Sequence, residues 1–179
     1  MFLAMIQKNS KDWHSKTTVK KGDLGEFLVD KFLMSKGMIP YHPNINIAHP
    51  FDRLVASKNK KIICIVDIKT KARRNYYPDT GIDKKHYDEY TFLMKKYNIP
   101  VFLFFVDEME GCIYGNYLHI LSQPTDIKYK NKLLKYPLEQ NGIIYFPLCL
   151  MRNIAKLDEN EIQKLRQLST RNYLYLKED

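Results

Sequence analysis

The sequence predicts an α/β protein in which a central mixed β-sheet is flanked by helices. Three observations carry this. The run KIICIVDIK (61–69) is rich in β-branched residues and apolar on both faces, as a strand buried between two layers must be. PVFLFFVD (100–107) has the same character. Stretches of helical period lie around these runs, so the order reads helix, strands, helix, strands, helix.

The first helix starts at Thr17 or Thr18 and runs to about Lys36, with Gly37 where a C-terminal cap belongs. Residues 38–50 carry three prolines and read as irregular, with short extended pieces. FDRLVAS (51–57) is a strand, SKNKK (57–61) a turn and KIICIVDIK the next strand. TKARRNYYPDTG (70–81) reads as a loop. Residues 82–98 form a helix that stops before Pro100. The strand 100–107 turns at 107–111 into a strand over 112–120, and the two pair as a hairpin. Residues 121–142 have no clear pattern. GIIYFPLCL (142–150) is extended. Asp158 and Glu161 have capping-box spacing at the head of a helix that runs to about Leu168.

Composition narrows the class of protein. At 179 residues, with 45% hydrophobic and 27% charged side chains, the chain can bury a core and is not disordered as a whole. The formal net charge of +9 suits contact with a polyanion, although a lysine-rich, merely solvated surface gives the same total. Cys64, Cys112 and Cys149 are odd in number and far apart, in apolar surroundings. They form neither a disulfide framework nor a paired-cysteine zinc site, and free buried thiols fit a reducing, cytoplasmic compartment. The first residues lack a secretory pattern, and the apolar run at 101–106 is far too short to span a bilayer.

Chemistry concentrates around the strand 61–69. Side chains alternate along a strand, so Ile63, Ile65, Asp67 and Lys69 share one face. A carboxylate and an ammonium thus emerge together at the end of an apolar strand, and a plain ion pair would account for these two alone. With the turn centred near residue 59 or 60, Asp52 comes out about opposite Asp67. Facing carboxylates repel unless a cation lies between them. On the first helix, Val19, Gly22, Glu26, Val29 and Leu33 follow one stripe, which sets Glu26 in an otherwise apolar line. Leu24, Phe27, Leu28 and Phe32 make a second apolar face.

These residues, GDLGE (22–26) on a helix, PFD (50–52) on a strand and DIK (67–69) on the next strand, resemble the PD-(D/E)XK, restriction-endonuclease-like nuclease superfamily over about residues 17–107. Phe51 separates Pro50 from Asp52, so there is no literal Pro-Asp pair. The resemblance implies a restriction-endonuclease-like core and a metal-dependent deoxyribonuclease using Mg²⁺, or Mn²⁺ in its place. Glu26, Asp52, Asp67 and Lys69 are then the catalytic residues, with Asp52, Asp67 and the Ile68 carbonyl as metal ligands. Desolvation and the cation would lower the pKa of Lys69. His86 falls where some members carry a polar residue on the second helix. A nuclease-fold protein that only binds nucleic acid or a partner protein is the alternative, and RNA stays open because the chemistry is indifferent to the sugar.

After the motif strand, Lys71, Arg73, Arg74, Tyr76 and Tyr77 interleave bases with aromatics, which suits phosphate contact with stacking. Lys84, Lys85 and His86 extend this wall. The stripe Tyr87, Tyr90, Met94 and Tyr97 reads as core. His14, His42, His49 and His119 have no ligand spacing. The division expected is an N-terminal extension (1–16), a core (17–120) and a C-terminal extension (121–179) that packs on the core or in a homodimer contact, with residues 142–179 away from the chemistry.

Overall fold

The computed structural model describes residues 15–43, 49–59 and 63–170. Helix α1 (Thr17–Ser35) ends where Gly37, at φ +72°, turns the chain back, its N–H bonded to Met34 O at 2.9 Å. Strands β1 (Met38–Tyr41) and β2 (Arg53–Ser57) follow. Then come β3 (Ile63–Thr70), β4 (Asp79–Asp83) and helix α2 (Lys84–Tyr97). Beyond them lie β5 (Val101–Asp107), β6 (Cys112–Tyr117) and a single helical turn, α3 (Leu118–Leu121).

The main sheet has six strands among the described residues: β1, β2, β3, β5, β6 and, at its far edge, β11 (Arg152–Lys156). Only β3 and β5 pair in parallel, joined by a crossover through β4 and α2. The architecture is the α/β fold expected, a central mixed sheet flanked by helices, with α1, the β2–β3 hairpin, α2 and β5 following one another in that order. The two faces of β3 separate as its alternation requires. Cys64, Val66 and Ile68 pack with Leu28, Val29 and Leu33 of α1, whereas Ile65 packs with Tyr90 of α2, Leu103 and Phe105.

Several elements differ from expectation. Residues 79–83 are strand rather than loop and helix, because β10 (Ile143–Pro147) supplies the partner, with Gly81 opposite Tyr145. β9 (Leu138–Gln140) completes this second sheet, and β7 (Thr125–Tyr129) with β8 (Lys132–Tyr136) forms a separate hairpin in the patternless stretch. Strand 112–120 stops at Tyr117, where the chain coils into α3. Phe27 is 61% exposed, outside the apolar face assigned to it, and so is Tyr97 at 54%. Cys149 is exposed, while burial pushes the Cys64 and Cys112 thiols up to about 11. Helix α4 (Glu159–Gln167) carries the capping box of Asp158 and Glu161 and buries Leu165 against the α1 side of the core. No helix of the described residues is long and apolar enough to cross a membrane.

One contact fixes α1 over the strand that bears the DIK motif. Gly25 faces Thr70, and a methyl group there would overlap the threonine hydroxyl and lie 2.8 Å from its Cβ. Rotating the Thr70 side chain does not move that Cβ, so the backbone has to give. Gly22 has open space around it. Gly25→Ala should therefore destabilise the protein by about 1–3 kcal/mol through overpacking. Gly22→Ala should stabilise it by about 0.5–1 kcal/mol through helix propensity. Urea melts of both variants check this, and equal effects would mean that α1 does not sit this close to β3.

Candidate active site

The β2–β3 ladder pairs Arg53 with Val66, Leu54 with Ile65 and Val55 with Cys64. Continued by one step, the same register sets Asp52 opposite Asp67. Asp52 stands just before β2, its N–H bonded to Val66 O at 3.1 Å, and its Oδ2 accepts the Ile68 N–H at 2.7 Å. The two carboxylates therefore meet where the hairpin opens, beside the C-terminal end of β3.

Asp67 is 1% exposed. Its Oδ1 accepts from Lys69 Nζ at 2.8 Å and from the Tyr90 hydroxyl. Its Oδ2 is buried and has no hydrogen-bond partner among the described residues. An orphaned, buried carboxylate oxygen is costly and calls for a proton or a cation.

The Asp52 carboxyl is pushed up to about 7, first by burial and then by the Asp67 carboxylate, while the Ile68 N–H and Lys69 oppose the shift. For Lys69, burial acts downward, but the Asp67 and Asp52 carboxylates outweigh it and hold the amine above its ordinary value. The lowered pKa anticipated for Lys69 is thus not what these surroundings give, since it needs a cation between the carboxylates.

The raised Asp52 pKa has a signed consequence. Between its ordinary 3.8 and about 7 the folded protein holds a proton that the unfolded chain releases. Its contribution to stability is full at low pH and is lost as pH rises through that window. Without divalent ions, the melting-temperature difference between wild type and Asp52→Asn should move against wild type from pH 5 to pH 8. A constant difference would show that Asp52 titrates normally.

Glu26 does not stand free in an apolar stripe. Its Oε2 lies 2.9 Å from Arg53 Nη2, and the same guanidinium makes three bonds of 3.0–3.2 Å to Asp30. Arg53 Nη1 also donates to the Asp52 main-chain oxygen at 2.7 Å. This buried cluster ties α1 to the start of β2 and still leaves Glu26 close enough to raise the Asp52 pKa. Among the described residues no three His, Cys, Asp or Glu side chains are grouped to hold a metal; the site offers two carboxylates.

The basic residues fare unequally. Arg74 is committed internally: Nε and Nη2 grip both oxygens of the fully buried Asp79, Nη1 donates to Gln140 at 2.9 Å, and the ring faces of Tyr145 and Tyr77 lie 3.8 and 4.4 Å away. The Arg73 side chain pairs with Glu110, which is 42% exposed, and its N–H donates to Asp107 at 2.9 Å. Lys84 lies 3.4 Å from Glu139 and 3.6 Å from Asp88. His86 stacks on Tyr90 at 5.9 Å, with Nδ1 4.0 Å from Asp83. Lys71 is half-buried.

Sequence reasoning missed Arg53, Asp30 and Tyr90. An arginine at the head of an otherwise apolar strand, with acids at i and i+4 on the helix above, was the available sign for the first two. For Tyr90 the helical stripe was visible but its hydroxyl partner was not.

No protein-family model matches the chain. No curated protein matches it. Among solved structures it is similar to Hjc, a Holliday junction resolvase from Archaeoglobus fulgidus, at 8% identity and a TM-score of 0.48, over 72% of this chain and 90% of that one. It is also similar to D212, a nuclease from a fusselovirus, at 14% identity and a TM-score of 0.40, over 86% of this chain and 90% of that one.

Proposed function

We propose that the protein is a metal-dependent deoxyribonuclease that hydrolyses phosphodiester bonds with Mg²⁺, Mn²⁺ being able to replace it. The observation that carries this reading is the buried, unpartnered Asp67 Oδ2 beside a second carboxylate that repels it. That donor set fits a hard divalent cation. Mg²⁺ takes oxygen ligands and keeps several waters, so Asp52, Asp67 and the Ile68 carbonyl suffice. When bound, the ion supplies Lewis-acid neutralisation of the phosphate and a more acidic water.

The chain's own residues do the rest. Tyr90 and Lys69 both donate to Asp67 Oδ1, which fixes the carboxylate and leaves its other oxygen as the one that would hold the ion. Lys69 Nζ, only partly exposed and held by Asp67, would stand beside the reacting phosphate, where its charge would stabilise the extra negative charge of the transition state. Its three protons can also orient the attacking water. Glu26, neutralised by Arg53, supports Asp52 from the α1 side rather than acting as a free base.

The test is incubation with plasmid, linear duplex, single-stranded and branched DNA, and with RNA, in Mg²⁺, Mn²⁺ or EDTA. Cleavage of DNA in metal and none in EDTA is expected. Binding without cleavage in either metal would favour the non-catalytic alternative, and cleavage of RNA alone would replace the substrate. Lys69→Arg should lower turnover by about 10²-fold or more, because a larger, planar guanidinium does not set its charge and donors where the compact ammonium does. Turnover near wild type in Lys69→Arg would leave Lys69 a charge role only.

A further inference from the structure

Directly after β3 the chain enters a cavity of about 280 Å³ whose lining includes Lys21, Lys71, Arg74, Thr80, Glu108 and Tyr145. Two of its cations are already matched. Lys21 pairs with the buried Glu108, and Arg74 with Asp79. Lys71 differs: among the described residues its amine has neither an ion-pair nor a hydrogen-bond partner. Burial draws its pKa below the ordinary lysine value, against the pull of the Asp83 carboxylate. Thr80 presents the second anomaly. It is 1% exposed, and its Oγ1 has no hydrogen-bond partner.

A half-buried ammonium without a protein partner and a buried, unsatisfied hydroxyl belong to one cavity lining, and an incoming oxyanion would satisfy both. We propose that this cavity is a subsite for a phosphate group, with Lys71 as its cation and Thr80 Oγ1 as its neutral donor. The oxyanion matches both groups: lysine binds phosphate as a point charge, and the hydroxyl donates to a further oxygen.

The bearer of the phosphate follows from the neighbouring site and rests on the nuclease reading. Lys71 comes two residues after Lys69, and alternate residues of an extended chain are separated by roughly 6–7 Å. That is comparable to the step between phosphates on a nucleic-acid strand. The subsite therefore holds a phosphate next to the one cleaved, either within the chain or at its end. The far wall includes Ser169 and Thr170, so on this reading the C-terminal part of the protein would border the bound strand.

The full-length protein in EDTA is titrated with a short single-stranded DNA carrying either a 5′-phosphate or a 5′-hydroxyl, read by fluorescence anisotropy. Wild type is compared with Lys71→Gln, Lys71→Arg and Thr80→Val, and each is melted alongside. Lys71→Gln should weaken binding about tenfold to a hundredfold, the worth of a charge-assisted hydrogen bond. Thr80→Val should weaken it a few-fold, and Lys71→Arg should recover most of the loss. Lys71→Gln should melt near the wild-type temperature, since the half-buried amine has no protein partner to lose, and Thr80→Val at or above it, because it removes an unsatisfied buried hydroxyl. Loss of a preference for the phosphorylated end identifies a terminal phosphate, and equal weakening of both oligonucleotides an internal one. Wild-type affinity in Lys71→Gln, or lowered melting temperatures in both variants, overturns the proposal. Lys71-dependent binding in a protein that cleaves nothing would keep the subsite and discard the nuclease reading.

Discussion

Asp67→Ala should abolish cleavage, by about 10³-fold or more, and with it the binding of Mn²⁺ measured by calorimetry. Electrostatics alone suggests that the variant gains stability, since Asp52 loses its repelling neighbour. The hydrogen bonds argue otherwise. The Tyr90 hydroxyl, on a residue 1% exposed, loses its acceptor along with Lys69. An unsatisfied buried donor costs about 1–3 kcal/mol, which exceeds the gain from relieving one partly solvated pair. The net change in a urea melt should be destabilising, and Tyr90→Phe in the same background should restore part of it. Wild-type Mn²⁺ affinity in Asp67→Ala would falsify the ligand assignment.

The second large effect concerns Arg74, which the sequence presents as a phosphate contact. Arg74→Ala should cost about 3–5 kcal/mol, because it leaves the fully buried Asp79 carboxylate with the Tyr136 hydroxyl in place of a bidentate guanidinium. Asp79 stands at the start of β4, so the damage falls on the second sheet. Asp79→Asn in the Arg74→Ala background should recover part of the loss. The salt dependence of DNA binding, measured on the protein that stays folded, should not change. An unaltered urea midpoint with a flatter salt slope would return Arg74 to the nucleic-acid surface. Arg73 is the contrasting case. Its pair with the half-exposed Glu110 is worth at most about 1 kcal/mol, and a phosphate can displace it.

What could be read in advance follows from how locally each feature is determined. β3 was legible because its β-branched run specifies both the strand and its two buried faces. The facing of Asp52 and Asp67 was legible because one short turn sets the register of a hairpin. β4 was not, since DTGID has two acids and a glycine, and only pairing with β10, some sixty residues later, makes it a strand. The state of Glu26 was hidden for a similar reason. A helix wheel shows which face it lies on but not that Arg53 arrives from another element to neutralise it. The same limit applied to the loop after β3. Its charges were visible, but Glu110 and Asp107, which bind Arg73, come from a distant strand end and turn, and Asp79, only five residues after Arg74, is held in place by the pairing of β4 with β10.

The bond from the Ile68 amide to the Asp52 side chain has a consequence of its own. The rungs between Arg53 and Ala56 and their partners on β3 end on peptide carbonyls, which do not titrate. Beyond the Asp52 N–H bond to Val66 O, the Ile68 bond ends on a carboxylate, so its strength changes when that carboxylate takes a proton or shares its charge with a cation. The main chain of β3 is tethered most firmly when Asp52 is anionic and least firmly when it is neutral. An amide that never ionises thereby becomes a resident spectroscopic probe, its resonance and solvent-exchange rate reporting the charge state of the site from within the backbone.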